Sequence, residues 1–182
     1  MTRATSPRLA AGLLAFSFAS ALASAASAQS TIEQPTEHPS YWMELEPHLG
    51  LGWINPPGSG SGNGFGLGLQ ASFVLVDPGF IPDLNNTVAL GVAIDWLNYS
   101  REHGDSTTRY FWIPVVLQWN FYIGGGWSVF GEPGLAPRFM NHGSDSLDFI
   151  LRLGARWHFT KTTSLTLRVG YPTMSVGISM LF

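Results

Sequence analysis

The chain has no cysteine. A disulfide framework is excluded, although export to an oxidising compartment is not. Charge is scarce as well. Asp, Glu, Lys and Arg make up 12% of the 182 residues, about half the share usual in globular proteins. The net charge is −3, which argues against a nucleic-acid binder built on a basic patch. After the first thirty residues no apolar run approaches the roughly 20 residues that a membrane-spanning helix needs. His38, His48, His103, His142 and His158 are scattered without metal-ligand spacing, so neither a metal site nor a cofactor is expected. The glycine-rich stretch 58–66 lacks the Lys-Ser/Thr ending and following helix of a phosphate loop.

What the chain does contain is apolar residues in alternation. Hydrophobic residues reach 45%, and high apolar content without long runs is what half-apolar strands produce. The first 28 residues read as an export signal. Arg3 and Arg8 give a positive start, residues 9–22 an apolar core, and Ala26-Ser27-Ala28 a cleavage box. Residues 29–43, polar and carrying Pro35 and Pro39, read as a flexible lead-in, with an ordered plug or a partner-binding tail as the alternative.

From Glu44 onward the period is two. Alternation predicts strands over 44–54, 64–76, 87–99, 109–121, 127–137, 147–159, 164–171 and 174–182, separated by Gly-, Pro- and Asn-rich connections. No segment has a helical period. The count is eight, and the expected fold class is all-β, an eight-stranded antiparallel up-and-down barrel over residues 44–182. Pro47 is a weak point in the first strand, because proline donates nothing to a ladder.

The two strand faces differ in kind. One carries Leu, Val, Ile, Phe and Trp. The other carries Gly50, Gly52, Gly64, Gly66, Gly68, Gly91, Gly134, Gly154, Gly170 and Gly177 among polar residues. A solvent face has no need to be small, whereas the interior of an eight-stranded barrel is only just wide enough for side chains. The small, polar face is therefore expected inside and the apolar face against lipid, with closure pairing every backbone group. With strand direction alternating from Glu44, Trp53, Phe65, Trp96, Phe111 and Tyr171 fall at one end. Trp119, Phe121, Trp127, Trp157, Phe159 and Phe182 fall at the other, as two aromatic girdles would.

The last stretch, Y-P-T-M-S-V-G-I-S-M-L-F from Tyr171, ends its alternation on Met180 and a terminal Phe182, with Ile178 in phase. It resembles the C-terminal strand of bacterial outer-membrane β-barrels, and the whole barrel region resembles the small class that includes OmpX and the membrane domain of OmpA. The resemblance implies that Phe182, Met180, Ile178 and Tyr171 form an assembly signal. It further implies periplasmic chaperones and the barrel-assembly machinery as partners, a periplasmic lead-in, a monomer surrounded by outer-membrane lipid, and the cell outer membrane of a Gram-negative bacterium as the location.

Charges on the inward face are Glu44, Glu46, Asp95, Glu132, Arg152, Arg156 and Arg168, with His48 and His158 beside them. A narrow interior requires them to pair. Glu132 and Arg152 flank one hairpin at similar height and are the best candidate pair. The expected role is a plugged, structural or surface-interacting barrel. A narrow, porin-like channel lined by the same charges is the alternative. A third reading is a lipid-modifying hydrolase. His142-Gly143-Ser144, with Asp145 and Asp148 nearby, is similar to the His-x-Ser element of eight-stranded outer-membrane lipid A deacylases. Only His142 and Ser144 match. Asp145 stands where that family has Asn, and the element precedes the sixth strand rather than lying on the penultimate one.

Overall fold

A computed structural model describes residues 31–52, 64–99, 108–141, 145–171 and 173–182. Among these there are nine strand segments: β1 (Met43–Gly52), β2 (Gly64–Val76), β3 (Asn86–Tyr99), β4 (Thr108–Trp112), β5 (Val115–Gly124), β6 (Trp127–Met140), β7 (Ser146–His158), β8 (Thr163–Tyr171) and β9 (Thr173–Leu181). Every pairing is antiparallel: β4 and β5 each pair with β3 and β6 rather than with one another, and β9 returns to pair with β1. The sheet is closed, so the described strands leave no open edge.

Eight strands are expected from the alternation, and eight cross the barrel wall. β4 and β5 are two halves of one crossing: both lie between β3 and β6. The expectation of an unbroken strand over 109–121 is corrected at Ile113 and Pro114. Pro114 has no N–H to give, so the ladder lapses there. The gap is bridged by Ala93 N–H to the Pro114 carbonyl at 2.8 Å and Ile113 N–H to the Pro137 carbonyl at 3.1 Å. Pro47 acts the same way. The β1–β9 register stops at Leu45 and resumes at His48, with Pro47 in the gap.

One strand end also differs from the sequence expectation. The fifth crossing runs to Met140 rather than Pro137, and the loop expected from Arg138 shrinks accordingly. Alternation continues through Ala136 and Arg138, which are buried, and Pro137 faces away from the lumen. The lead-in is described in part. Its described part, residues 31–42, makes specific contacts at the barrel end that holds Met43 and Phe182 (the terminal end). One example is the Trp42 N–H donated to the Phe182 carbonyl at 2.9 Å.

The burial pattern is that of a barrel turned inside out. Arg156, Arg168, Glu44, Glu46, Glu132, Gln70 and Gln118 are among the most fully buried side chains, while Leu67, Ile94, Leu151 and Leu153 lie exposed on the outer wall. Glycines make the narrow interior possible. A Cβ at Gly66 would overlap the backbone carbonyl of Trp96, and one at Gly154 would overlap the Phe130 ring. Gly66→Ala is expected to destabilise the fold by about 1–3 kcal/mol, the usual cost of overpacking, as read by urea unfolding in detergent micelles. Gly124, Gly125 and Gly126 close the β5–β6 turn with φ of 106°, 62° and 77°, which a Cβ would strain.

Candidate functional site

The lumen is the site where this chain concentrates its chemistry, and its geometry follows from strand alternation. On β6, Phe130 and Glu132 point inward. On β8, Thr166 and Arg168 do; on β7, Arg152 and Arg156; on β1, Glu44, Glu46 and His48. These side chains stack in layers along the barrel axis.

The central layer is built around Glu132 and Arg168. Arg168 Nε donates to Glu132 at 3.0 and 3.2 Å, and Arg168 Nη1 donates to Glu46 Oε1. Arg152 Nε lies 3.1 Å from Glu132 Oε2. Gln70 and Gln118 donate to Glu132 Oε1 at 3.1 and 2.8 Å, and Ser179 Oγ donates to Glu46 Oε2 at 2.9 Å. Arg156 and Arg168 lie over the Phe130 ring, 4.3 and 5.1 Å from its centre. Each buried charge has an opposite charge in contact, which is what dehydrated ions require.

Other layers lie on either side. Towards the terminal end, Arg156 Nη2 meets Glu44 Oε2 at 2.8 Å and its Nη1 donates to Asn120 at 2.7 Å. Further from it, His48 Nε2 and Asp95 are 2.9 Å apart, and Arg152 Nη1 is 3.9 Å from Asp95. Beyond them Leu97, Tyr99, Tyr110, Trp112, Val116, Ala136 and Ile150 form an apolar cluster across the lumen. Arg138 and Asp148 pair at 2.7 Å beside it, with Trp112 Nε1 donating to the same carboxylate at 3.2 Å.

All six lumen charges singled out in the sequence, Glu46, Asp95, Glu132, Arg152, Arg156 and Arg168, thus lie inside and in contact with an opposite charge. Glu132 and Arg152 are register partners and touch, but Arg168 holds the network together by bridging Glu132 and Glu46. Sequence reasoning missed Arg138 by ending its strand early. It also gave no role to Gln70 and Gln118, whose inward phase was the available signal. At the end of the chain Phe182 is exposed, Tyr171 at the end of β8 and Ile178 on β9 face outward, and Met180 is half-buried. His142 and Ser144 lie outside the described residues, as does Trp53.

No family model and no curated protein matches this chain. Solved structures do. The Yersinia pestis outer membrane protein Ail, solved in a phospholipid bilayer nanodisc, superposes with a TM-score of 0.52 at 12% identity, over 79% of this chain and 100% of Ail. This is a small eight-stranded outer-membrane-type barrel. A de novo designed transmembrane β-barrel is also similar, at 10% identity and a TM-score of 0.49 over 82% of this chain and 100% of the design. The Neisserial surface protein A follows at 16% and 0.45, over 78% of this chain and 97% of that one. At these identities the likeness is one of fold.

Proposed function

We propose that this protein is an integral barrel of a Gram-negative outer membrane, exported with a cleaved signal peptide over residues 1–28. Its lumen is plugged, and it serves a structural or surface-interaction role. The observation that carries this reading is the inversion of polarity. Ionised side chains are enclosed, while a continuous belt of Leu, Val, Ile and Phe faces out. In water such a belt would far exceed the apolar patch of a typical monomer; against hydrocarbon it is what a barrel wall needs.

The plug is supported by the Arg168 bridge and by the apolar cluster next to it. A conducting path would have to break buried ion pairs and also cross a layer with little to hydrate an ion, which favours the plug over the narrow channel. Nothing in the described residues favours the hydrolase. The exposed Phe182 and the outward Ile178 and Tyr171, with Met180 in phase, are proposed as the signal for periplasmic chaperones and the barrel-assembly machinery. Outer-membrane lipid then surrounds a monomer.

Three measurements test the proposal. Unheated and boiled samples of outer-membrane extracts should migrate differently on a gel, and the protein should need detergent to stay in solution. Reconstituted into a planar bilayer, it should give no steady single-channel conductance. Steady conductance would replace the plug with the channel, and solubility without detergent would remove the membrane reading altogether.

A further inference from the structure

The segment before β1 crosses the terminal mouth of the barrel. Trp42 still belongs to the wall: its carbonyl accepts from Val74 N–H at 3.0 Å. From there the chain leaves β1 and reaches the opposite side, where β3 begins and β5 ends. The Tyr41 hydroxyl meets that of Tyr122 at 3.1 Å. The His38 ring stacks on Tyr122, with centres 4.4 Å apart and planes 11° from parallel.

Asn85, fully buried, gathers the segment. Its N–H donates to the Ile32 carbonyl at 2.7 Å and its Nδ2 to the Glu37 carbonyl at 3.0 Å. With Nδ2 so engaged, Oδ1 is left to accept from His38 Nδ1 at 2.6 Å. Asp77 takes the other ring nitrogen at 3.3 Å. Thr36 sits at φ 76°, a left-handed conformation that a β-branched residue adopts only when its surroundings hold it there.

Beneath this segment lies a polar layer joined to it by hydrogen bonds. They run from Tyr41 to Tyr122, to Thr87 at 3.3 Å, to Asn120 at 3.3 Å, and to Arg156 at 2.7 Å, which pairs with Glu44. His158 stands 6.1 Å from Tyr122 and is the register partner of Ser164. In this layer Glu44 Oε1, Arg156 Nε, His158 Nδ1 and Ser164 Oγ are buried without a hydrogen-bond partner in the protein. Buried polar atoms of this kind are normally satisfied by water. The apolar cluster lies beyond the central ion-pair layer and separates this layer from the other mouth.

We propose that residues 31–41 are a stopper, latched by His38 in the notch formed by Tyr122 and Asn85, that controls access of water and small polar solutes to a blind chamber. Glu44, Arg156, His158 and Ser164 line the chamber. It opens only to the terminal end, so releasing the stopper admits solute without making a pore.

The absence of cysteine allows a direct test on the folded, detergent-purified protein. Ser164→Cys is placed in the chamber, and Ser175→Cys, inward on β9 towards the other end, is the reference. Each is challenged with a small cationic thiol reagent in three backgrounds: the unaltered stopper, His38→Ala, and a chain lacking residues 31–40. The gel shift on heating selects the samples in which the barrel is folded. The expected result is at least a tenfold faster reaction at position 164 in either stopper variant, with position 175 unchanged. Equal rates at 164 in all folded backgrounds, fast or slow, would overturn the proposal. Equal acceleration at 164 and 175 would also overturn it, by showing a general loosening of the barrel. If His38→Ala fails to fold, the truncated chain decides.

Discussion

Arg168→Met should destabilise the folded barrel by about 3–5 kcal/mol, the usual cost of removing one partner from a buried ion network. Arg168 is nearly inaccessible and contacts Glu46 and Glu132, both equally buried. Methionine fills much of the same volume and supplies none of the charge. Glu132 keeps Arg152, Gln70 and Gln118, but Glu46 keeps only the Ser179 hydroxyl and His48, 3.9 Å away. The measurement is equilibrium unfolding in urea with the barrel in micelles, with the heat-induced gel shift as a check on folding. Adding Glu46→Gln to Arg168→Met should recover a large part of the loss, because the uncompensated carboxylate is then removed as well. A single variant as stable as the parent would show that the network is hydrated and that the lumen is not plugged at Arg168.

Leu153→Arg should cost about 2–4 kcal/mol in a bilayer, the range for arginine on the lipid face of a barrel at the membrane midplane. Leu153 lies near the middle of β7 and is 68% exposed. Leu147, at one end of the same strand, is 63% exposed, and Leu147→Arg should cost only about 0–1 kcal/mol. The depth dependence is what makes the pair informative. A water-facing leucine can be replaced by arginine at little cost wherever it stands on a strand. Folding titrations into phospholipid vesicles measure both variants against the parent. Equal, negligible costs would mean that the outer belt is not in hydrocarbon, whatever the barrel's shape.

Much of the architecture was legible from the sequence because its cause is local. A period of two assigns each residue to one face without reference to any other strand. Glu44, Glu46 and His48 are therefore inward from their spacing, and so are Glu132, Arg152, Arg156 and Arg168. The glycine bias of that face already implied a crowded interior. Where this reading went astray, a single residue broke the local rule. Pro114 preserved the alternation but withdrew a donor, so one crossing became two segments. Pro137 looked like the end of a strand, although its outward position left Arg138 in phase.

The pairing itself was not legible. Glu132 and Arg152 face each other across neighbouring strands, and a hairpin register suffices to propose them. Arg168 reaches Glu132 and Glu46 from a strand adjacent to neither. That contact depends on how the sheet closes and on which side chains then share a height in the lumen. The contacts of residues 31–42 are of the same kind, because Asn85 and Tyr122 become a notch only when β3 and β5 are set beside each other.

The sequence by itself determined which face of each strand is apolar, that the other face is small, and how many times the chain crosses. These are one-dimensional periodicities. Only the tertiary structure decided that Arg168 is the centre of the charge network, that an apolar layer lies across the lumen, and that the lead-in lies over one mouth. Each of these depends on distances across a closed barrel, which are set by closure and register rather than by neighbouring residues in the chain.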